Sequence, residues 1–404
     1  MEQVLSDVKV LDLTHCIAGP YCTKLLADYG ADVVKVERPG KGDPARRMGP
    51  FLGDDPHPDK SGLFLHLNTS KRGITLNLKS DTGRKIFQEL VRGVDILVEN
   101  FSPRVMPGLG LEFEKLEGIN PGLVMTSISN FGQIGPYRDF KASELILYGM
   151  GGAMNSTGVA DRYPLKMAGT VVQYQAGTIA AVATMLALFA SRAQGAGQHV
   201  DVSIFESQMG TIDRRMGQLL TYQYNKETSY RVDPEQERPA FPYGIYPCED
   251  GFFQLAGGFF FWPRICQMIG RPDLLDDSGF CTPEGQREPE NLERFSVIWY
   301  PWIAERTKKE IIEAGQAAGV LCGPINTTGD LVNDPHWRAR GFWEEIDHPI
   351  TGKLAYPGAP FKMAESPRRV SRPAPMLGQH NEEVYSELGY SEEDLIGLKE
   401  SGTI

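Results

Sequence analysis

The sequence predicts an α/β protein: a parallel sheet covered by helices on both faces, with a smaller α+β domain after it. Three observations carry this. Short apolar segments of strand length alternate with amphipathic helical stretches through the N-terminal third. A long apolar run then ends at a glycine turn and a further strand-like segment. Finally, a charged, proline-bearing stretch at 225–240, poor in apolar periodicity, divides the chain.

The elements follow in order. Residues 8–13 are apolar, Ala18-Gly19-Pro20 breaks them, 21–29 are amphipathic and 32–36 apolar again, which is a βαβ opening. Further strands are expected at 73–78, 95–98 and 123–127, with helical stretches such as 82–91 between them, as in a parallel sheet buried on both faces. The glycine fingerprint GxGxxG is missing after the first strand, which disfavours a dinucleotide dehydrogenase. The apolar run 176–190 is interrupted by Thr178 and Thr184 and is too short for a bilayer span, so it is read as a buried helix. Gly195-Ala196-Gly197 then turns the chain into a strand at 198–203. The large domain is thus placed at 1–224, a linker at 225–240 and the small domain at 241–326. The small domain opens on a hairpin, 242–247 and 252–255, around Glu249-Asp250-Gly251, with helices at 262–269 and 308–317. Residues 327–404 return to the large domain, proline-rich and irregular to about 376, then helical from near Ser391 with Glu392, Glu393 and Asp394 in the first turn.

Composition narrows the function. A chain of 404 residues, 41% hydrophobic, can bury a full core. The net charge of -11 and the scattered basic residues leave no basic face for a phosphate backbone, so nucleic acid is not an expected partner. A basic N-terminal segment followed by an apolar stretch is missing, which argues against a secretory signal, and no membrane partner is expected. The six cysteines are dispersed without a CxxC pair and the seven histidines form no HExxH, a pattern that fits reduced thiols in the cytoplasm and no metal centre.

A set of ordered motifs spans nearly the whole chain. Ala18-Gly19-Pro20, the run 26–39 ending in Glu37-Arg38-Pro39, Gly42-Asp43 and Arg46 come first. Asn68 to Arg72, Glu99-Asn100-Phe101 with Arg104, Phe131-Gly132 with Gly135-Pro136-Tyr137, Gly197-Gln198 and 200–203 follow, then Gly323-Pro324, Asp334-Pro335 and Leu377-Gly378. Together these resemble the class III CoA-transferases, the formyl-CoA transferase and carnitine CoA-transferase type. The resemblance implies a large Rossmann-like domain made from both chain ends, a small middle domain, and two protomers threaded like linked rings. It implies coenzyme A or acyl-CoA as substrate, with a carboxylic acid acceptor and no tightly bound cofactor. The family's aspartate attacks the acyl-CoA thioester, giving a mixed anhydride and then an aspartyl-CoA thioester, so the pocket must hold an ionised carboxylate.

Arg38, at the end of the second strand, suits a ribose phosphate, and Lys71, Arg72 and Arg104 fall on positions that resemble the family's CoA contacts. Asn100 and Phe101 follow an apolar strand and match the adenine and pantetheine channel. His15, Ile17 and Tyr137 match nearby contacts. Where the family carries its nucleophilic aspartate, ahead of the long helix, this chain has Gln173, and no acidic residue lies between Asp161 and Asp201. A carboxamide has neither the charge nor the basicity to attack a thioester. The racemase branch of the superfamily needs a histidine where this chain has Ser143, while Glu144 replaces an aspartate and Tyr148 a glutamine.

The resulting expectation is a non-catalytic subunit of a heteromeric class III CoA-transferase, paired with a paralogous chain that carries the aspartate. The type is similar to enzymes that move CoA from succinyl-CoA to benzylsuccinate in anaerobic aromatic degradation. Two alternatives stand beside it: a self-sufficient transferase using Glu144 or Asp161, and a CoA-binding regulatory protein without catalysis.

Overall fold

The computed structural model describes residues 3–209, 213–228, 231 and 240–404, so residues 229–230 and 232–239 of the expected linker lie outside the described residues. Two compact units emerge. The first takes the chain to residue 158, residues 162–231 and the C-terminal 342–404; the described part of the second is 159–161 and 240–341.

In the first unit, β1 (Lys9–Asp12), β2 (Asp32–Glu37), β3 (Lys71–Thr75), β4 (Ile96–Glu99), β5 (Val124–Ser129) and β6 (Gln198–Ser203) form one parallel sheet in the order β3-β2-β1-β4-β5-β6. Successive side chains of a strand point to opposite faces. Val10, Val33, Ile96 and Val124 accordingly pack on one side, and Leu11, Val34, Leu97 and Met125 on the other. The first side is covered by the helices Ala18–Ala27 and Val171–Gln194, which approach so closely that a Cβ on Gly177 would sit 2.5 Å from the Ala18 carbonyl oxygen. Only glycine fits there. The second side is covered by Asp81–Arg92, and by Asn381–Glu387 and Glu392–Glu400 from the far end of the chain, which bring Val384, Tyr385, Leu395 and Leu398 into the core. The last of these starts at Ser391, whose hydroxyl accepts from the Asp394 amide while the Asp394 carboxylate reaches back to the Ser391 amide.

Four expectations need revision here. β3 starts at Lys71 and ends at Thr75, where 73–78 was expected, because the two basic residues pair in register with Val33 and Val34 and find carboxylate partners, Lys71 the buried Asp12 and Arg72 the part-exposed Asp32. The long helix is not buried all round: Ala176, Ala180, Thr184 and Leu188 face the core, while Val182, Leu186 and Phe189 are exposed, Phe189 at 77%. It is long and apolar enough to span a membrane by length and composition, with 44% of that stretch buried inside the unit.

The second unit carries the antiparallel β7 (Tyr243–Cys248), β8 (Gly251–Ala256) and β9 (Leu321–Pro324). Its core of Phe253, Trp262, Phe295, Trp299 and Ile311 comes mainly from the helices Trp262–Ile269, Pro289–Ala304 and Lys308–Ala318. This unit reaches Gly341, beyond the 326 boundary read from sequence, and so includes Thr328–Asn333 and Pro335–Ala339. The fourth revision is the return segment: instead of remaining irregular to about 376, it forms a hairpin of β10 (Trp343–His348) and β11 (Gly352–Pro357).

Candidate functional site

A cavity opens in the first unit at the carboxyl ends of the strands, lined by His15 after β1, Arg38 after β2, Asn77 and Lys79 after β3, and Phe101 and Val105 after β4. In this strand order the connections diverge between β1 and β4, and the crevice outside that point is where open parallel sheets take ligands.

Buried polar groups hold its floor. Asp12 Oδ1 accepts from both the amide and the hydroxyl of Thr14 (2.8 and 2.5 Å), and Lys35 Nζ donates to the Thr14 carbonyl at 2.8 Å. Cys16 sits in the left-handed region at φ 64°, where Asp43 Oδ1 accepts its amide proton at 3.0 Å. Asn100 then ties the β1 turn to the β4 turn: its Oδ1 accepts from the His15 amide and its Nδ2 donates to the His15 carbonyl, both at 2.8 Å. The rings of His15 and Phe101 meet edge to face, 5.4 Å between centroids. Burial lowers the His15 pKa, so its imidazole is neutral at pH 7. Arg38 and Lys79 are exposed at the rim, and among the described residues neither is in an ion pair. The cavity thus offers two free cations above an apolar and aromatic wall, a combination suited to a phosphorylated nucleoside.

Other predicted contacts go elsewhere. Lys71 is fully buried; its Nζ donates to Asp12 Oδ2 (3.0 Å), the Pro20 carbonyl (3.0 Å) and Asn68 Oδ1 (2.9 Å), which uses all three protons. Arg72 pairs with Asp32 (2.6 Å), Glu383 (3.2 Å) and Glu387 (2.6 Å) at the opposite, amino end of β2 and β3. Both residues are structural cations here, which corrects their reading as phosphate contacts: Lys71 has no proton to spare, and Arg72 is committed to three carboxylates at the far end of the strands from the cavity. Arg104 grips Asp139 through two bonds of 2.8 and 2.6 Å, Tyr137 stacks on Phe140 at 4.9 Å, and Ile17 is buried at the start of the Ala18–Ala27 helix; none of the three lines the cavity. Asn77 and Lys79, conversely, were not read from the sequence. Extending β3 to 78 hid the loop that carries them.

Gln173 lies in the first turn of the Val171–Gln194 helix, half-buried, its amide bonded to the Thr170 carbonyl at 3.1 Å. Thr170 gives no side-chain cap; instead Glu144 Oε1 accepts from the Val172 amide at 3.1 Å. A carboxylate there satisfies an orphan N–H and complements the helix dipole. Lys166 Nζ stands 3.4 Å from the same oxygen and 5.6 Å from the ring centre of Tyr148, while Glu144 Oε2 is buried without a hydrogen-bond partner. Asp161 belongs to the second unit. Among the described residues no cluster of three or more His, Cys, Asp or Glu side chains could hold a metal.

The chain matches CoA-transferase family III over residues 5–381. It is 35% identical to the formyl-CoA:oxalate CoA-transferase of Streptomyces avermitilis over 100% of both chains. It is 32% identical to the succinyl-CoA–D-citramalate CoA-transferase of Chloroflexus aurantiacus, over 98% of this chain and 96% of that one. Among solved structures, a CAIB/BAIF family protein from Brucella suis superposes with a TM-score of 0.84 at 28% identity, covering 96% of this chain and all of the other.

Proposed function

The chain belongs to CoA-transferase family III, and from that premise we propose that it is the subunit of a heteromeric CoA-transferase that does not carry the nucleophile. A paralogous partner supplies the aspartate; the pair moves CoA from an acyl-CoA, succinyl-CoA in the leading case, to a carboxylic acid such as an aromatic substituted succinate. The observation that carries the reading is Gln173 in the first turn of the long helix, where attack on a thioester needs a carboxylate. The cavity around His15, Arg38 and Phe101 supports retained CoA binding, with Arg38 and Lys79 toward the phosphates and Phe101 beside the adenine or pantetheine. The exposed Val182, Leu186 and Phe189 support a subunit that interlocks with another chain.

In the assembled complex, Gln173→Ala leaves turnover within about twofold, because a carboxamide that touches no reacting atom contributes little, whereas loss of a covalent nucleophile removes several orders of magnitude. A large loss with the complex intact sinks the reading.

One observation favours a second reading. Glu144 brings a carboxylate with an unpartnered oxygen to the helix turn that holds Gln173, so a self-sufficient transferase would use Glu144. Borohydride trapping on the chain purified alone, with succinyl-CoA, separates the two: the first reading expects no reduced residue, the second a reduced Glu144.

A further inference from the structure

Glu99 closes β4 immediately before the two residues that wall the cavity, and its side chain is almost wholly buried at 3% exposure. Its Oε2 accepts from the Phe101 amide at 2.7 Å. In the parallel register Glu99 stands beside Ser127 of β5, and Ser127 beside Asp201 of β6, so the three share one face of the sheet. Ser127 neighbours Glu99 across the parallel register, its hydroxyl acting to lower the Glu99 carboxyl, and lies 2.8 Å from His199 Nε2 on the other side. His199 is exposed, its ring stacked on Phe113 at 5.6 Å. A line of neighbouring polar groups therefore runs from solvent at His199, through a buried hydroxyl, to a buried carboxyl under the pocket loop.

We propose that Glu99 is a positioning residue, holding the β4 loop and Phe101 in place through the Phe101 amide while exchanging its proton with solvent through Ser127 and His199. The step balances as a simple transfer: a solvent proton reaches His199, the serine hydroxyl passes its own proton to the carboxylate and takes one from the imidazole. The carboxylate form accepts the Phe101 N–H as a charge-assisted bond, roughly twice as strong as a neutral one, and protonation weakens it. Burial first, then the Asp201 charge, push the Glu99 carboxyl up to about 7, against the donations from Ser127 and the Phe101 amide. On β6 the facing charged and titratable groups are Asp201, whose Oδ2 accepts from the Gln133 amide, and His199; on the Phe113–Glu117 helix Glu114 faces His199. The β1 side presents His15, its imidazole pKa lowered by burial, across the Phe101 ring. The pocket wall is thereby set loose as the pH falls through neutrality.

The inference rests on the cavity being the CoA site only for its consequence, so its test reads the loop directly. Hydrogen exchange of peptides spanning 100–104, corrected for intrinsic rates, is followed from pH 5.5 to 8.5. Protection is expected to fall about tenfold as the pH drops, with a midpoint near 7, and Glu99→Gln to flatten the profile. Ser127→Ala removes a donor to the carboxylate and moves the midpoint upward. Protection independent of pH in the unmodified chain, or a Ser127→Ala midpoint unmoved, overturns the proposal. Calorimetry with coenzyme A at pH 8 and pH 6 completes the experiment: weaker binding at pH 6 that Glu99→Gln abolishes supports it. Absence of any binding beside a titrating loop refutes the CoA site and leaves the positioning role standing.

Discussion

Arg38 and Lys71 have the same charge sign and were given the same role by sequence, yet the structure separates them by what surrounds each ammonium or guanidinium. Arg38 is exposed at the cavity rim, so Arg38→Ala should weaken coenzyme A binding about tenfold, the worth of one phosphate contact, with the melting temperature unchanged. Lys71 is buried against Asp12, so Lys71→Met should leave binding geometry to whatever remains folded and destabilise the chain by roughly 3 kcal/mol, since a buried carboxylate loses its nearest cation. Urea denaturation beside calorimetry tests both, and reversed outcomes would return Lys71 to the ligand site. The distinction was not legible in the sequence. A basic residue opening a strand reads alike whether its partner is a ligand phosphate or an aspartate 59 positions earlier, and only the tertiary pairing of β1 with β2 and β2 with β3 decides. Gln173, by contrast, reads from the sequence as a carboxamide where a carboxylate is needed, a reading that depends on chemistry at one position; the structure moves that position from ahead of the long helix into its first turn.

At the scale of elements, legibility followed burial. Five of the six parallel strands are buried almost throughout because both faces are covered, although β3 opens on Lys71-Arg72, while β6 leaves Gln198, His199 and Asp201 exposed; all six lie within a few residues of their expected places. The β10–β11 hairpin was missed because its alternation is diluted: Trp343-Glu344-Glu345-Ile346-Asp347-His348 buries only Ile346 and His348 fully. The Pro289–Ala304 helix was also missed; Pro301 inside it interrupts the pattern a reader looks for. The long helix misled in the other direction, since its apolar residues run all the way round while only one face meets the sheet. Its outer stripe, Val182, Leu186 and Phe189, follows helical spacing at i, i+4 and i+7. If that stripe meets the partner subunit, Leu186→Glu with Phe189→Glu should leave the circular dichroism of the chain unchanged and abolish co-purification with the paralogue, because two carboxylates would be desolvated at the contact. Retained assembly would move the interface elsewhere.

Across the whole molecule, the two units differ in how their charges are placed, and that difference has a consequence in acid. The first unit buries Asp12, Asp28 and Asp43; burial alone would raise each carboxyl, but Lys71 and Lys35 beside Asp12, Lys24 and Arg368 beside Asp28, and Lys35 beside Asp43 outweigh it and hold all three below their ordinary value of 3.8. Carboxyls lowered on folding contribute stability that is present above the unfolded pKa and lost as the pH falls through the folded values. Two buried groups add slopes at higher pH. His66, driven down to about 4 by burial, favours the folded state more as the pH rises from 4 to 6.5, while Glu99, raised to about 7, works the opposite way between 4.5 and 7. His15, His199, His348 and His380, lowered by burial as well, act in the same direction as His66, and the three aspartates add their loss below pH 4. Among its described residues the second unit buries no charged side chain; its ion pairs, Lys308 with Asp330, Lys309 with Glu313, Arg271 with Asp273 and Arg294 with Asp277, are surface pairs worth little when broken. Trp262, Trp299, Trp302 and Trp337 all fall in that unit, leaving Trp343 in the first. An acid titration should therefore separate two probes: ellipticity falls first as the parallel sheet gives way, and tryptophan emission shifts only at lower pH. Coincident transitions would mean that the second unit has no stability of its own once the buried aspartates of the first are protonated.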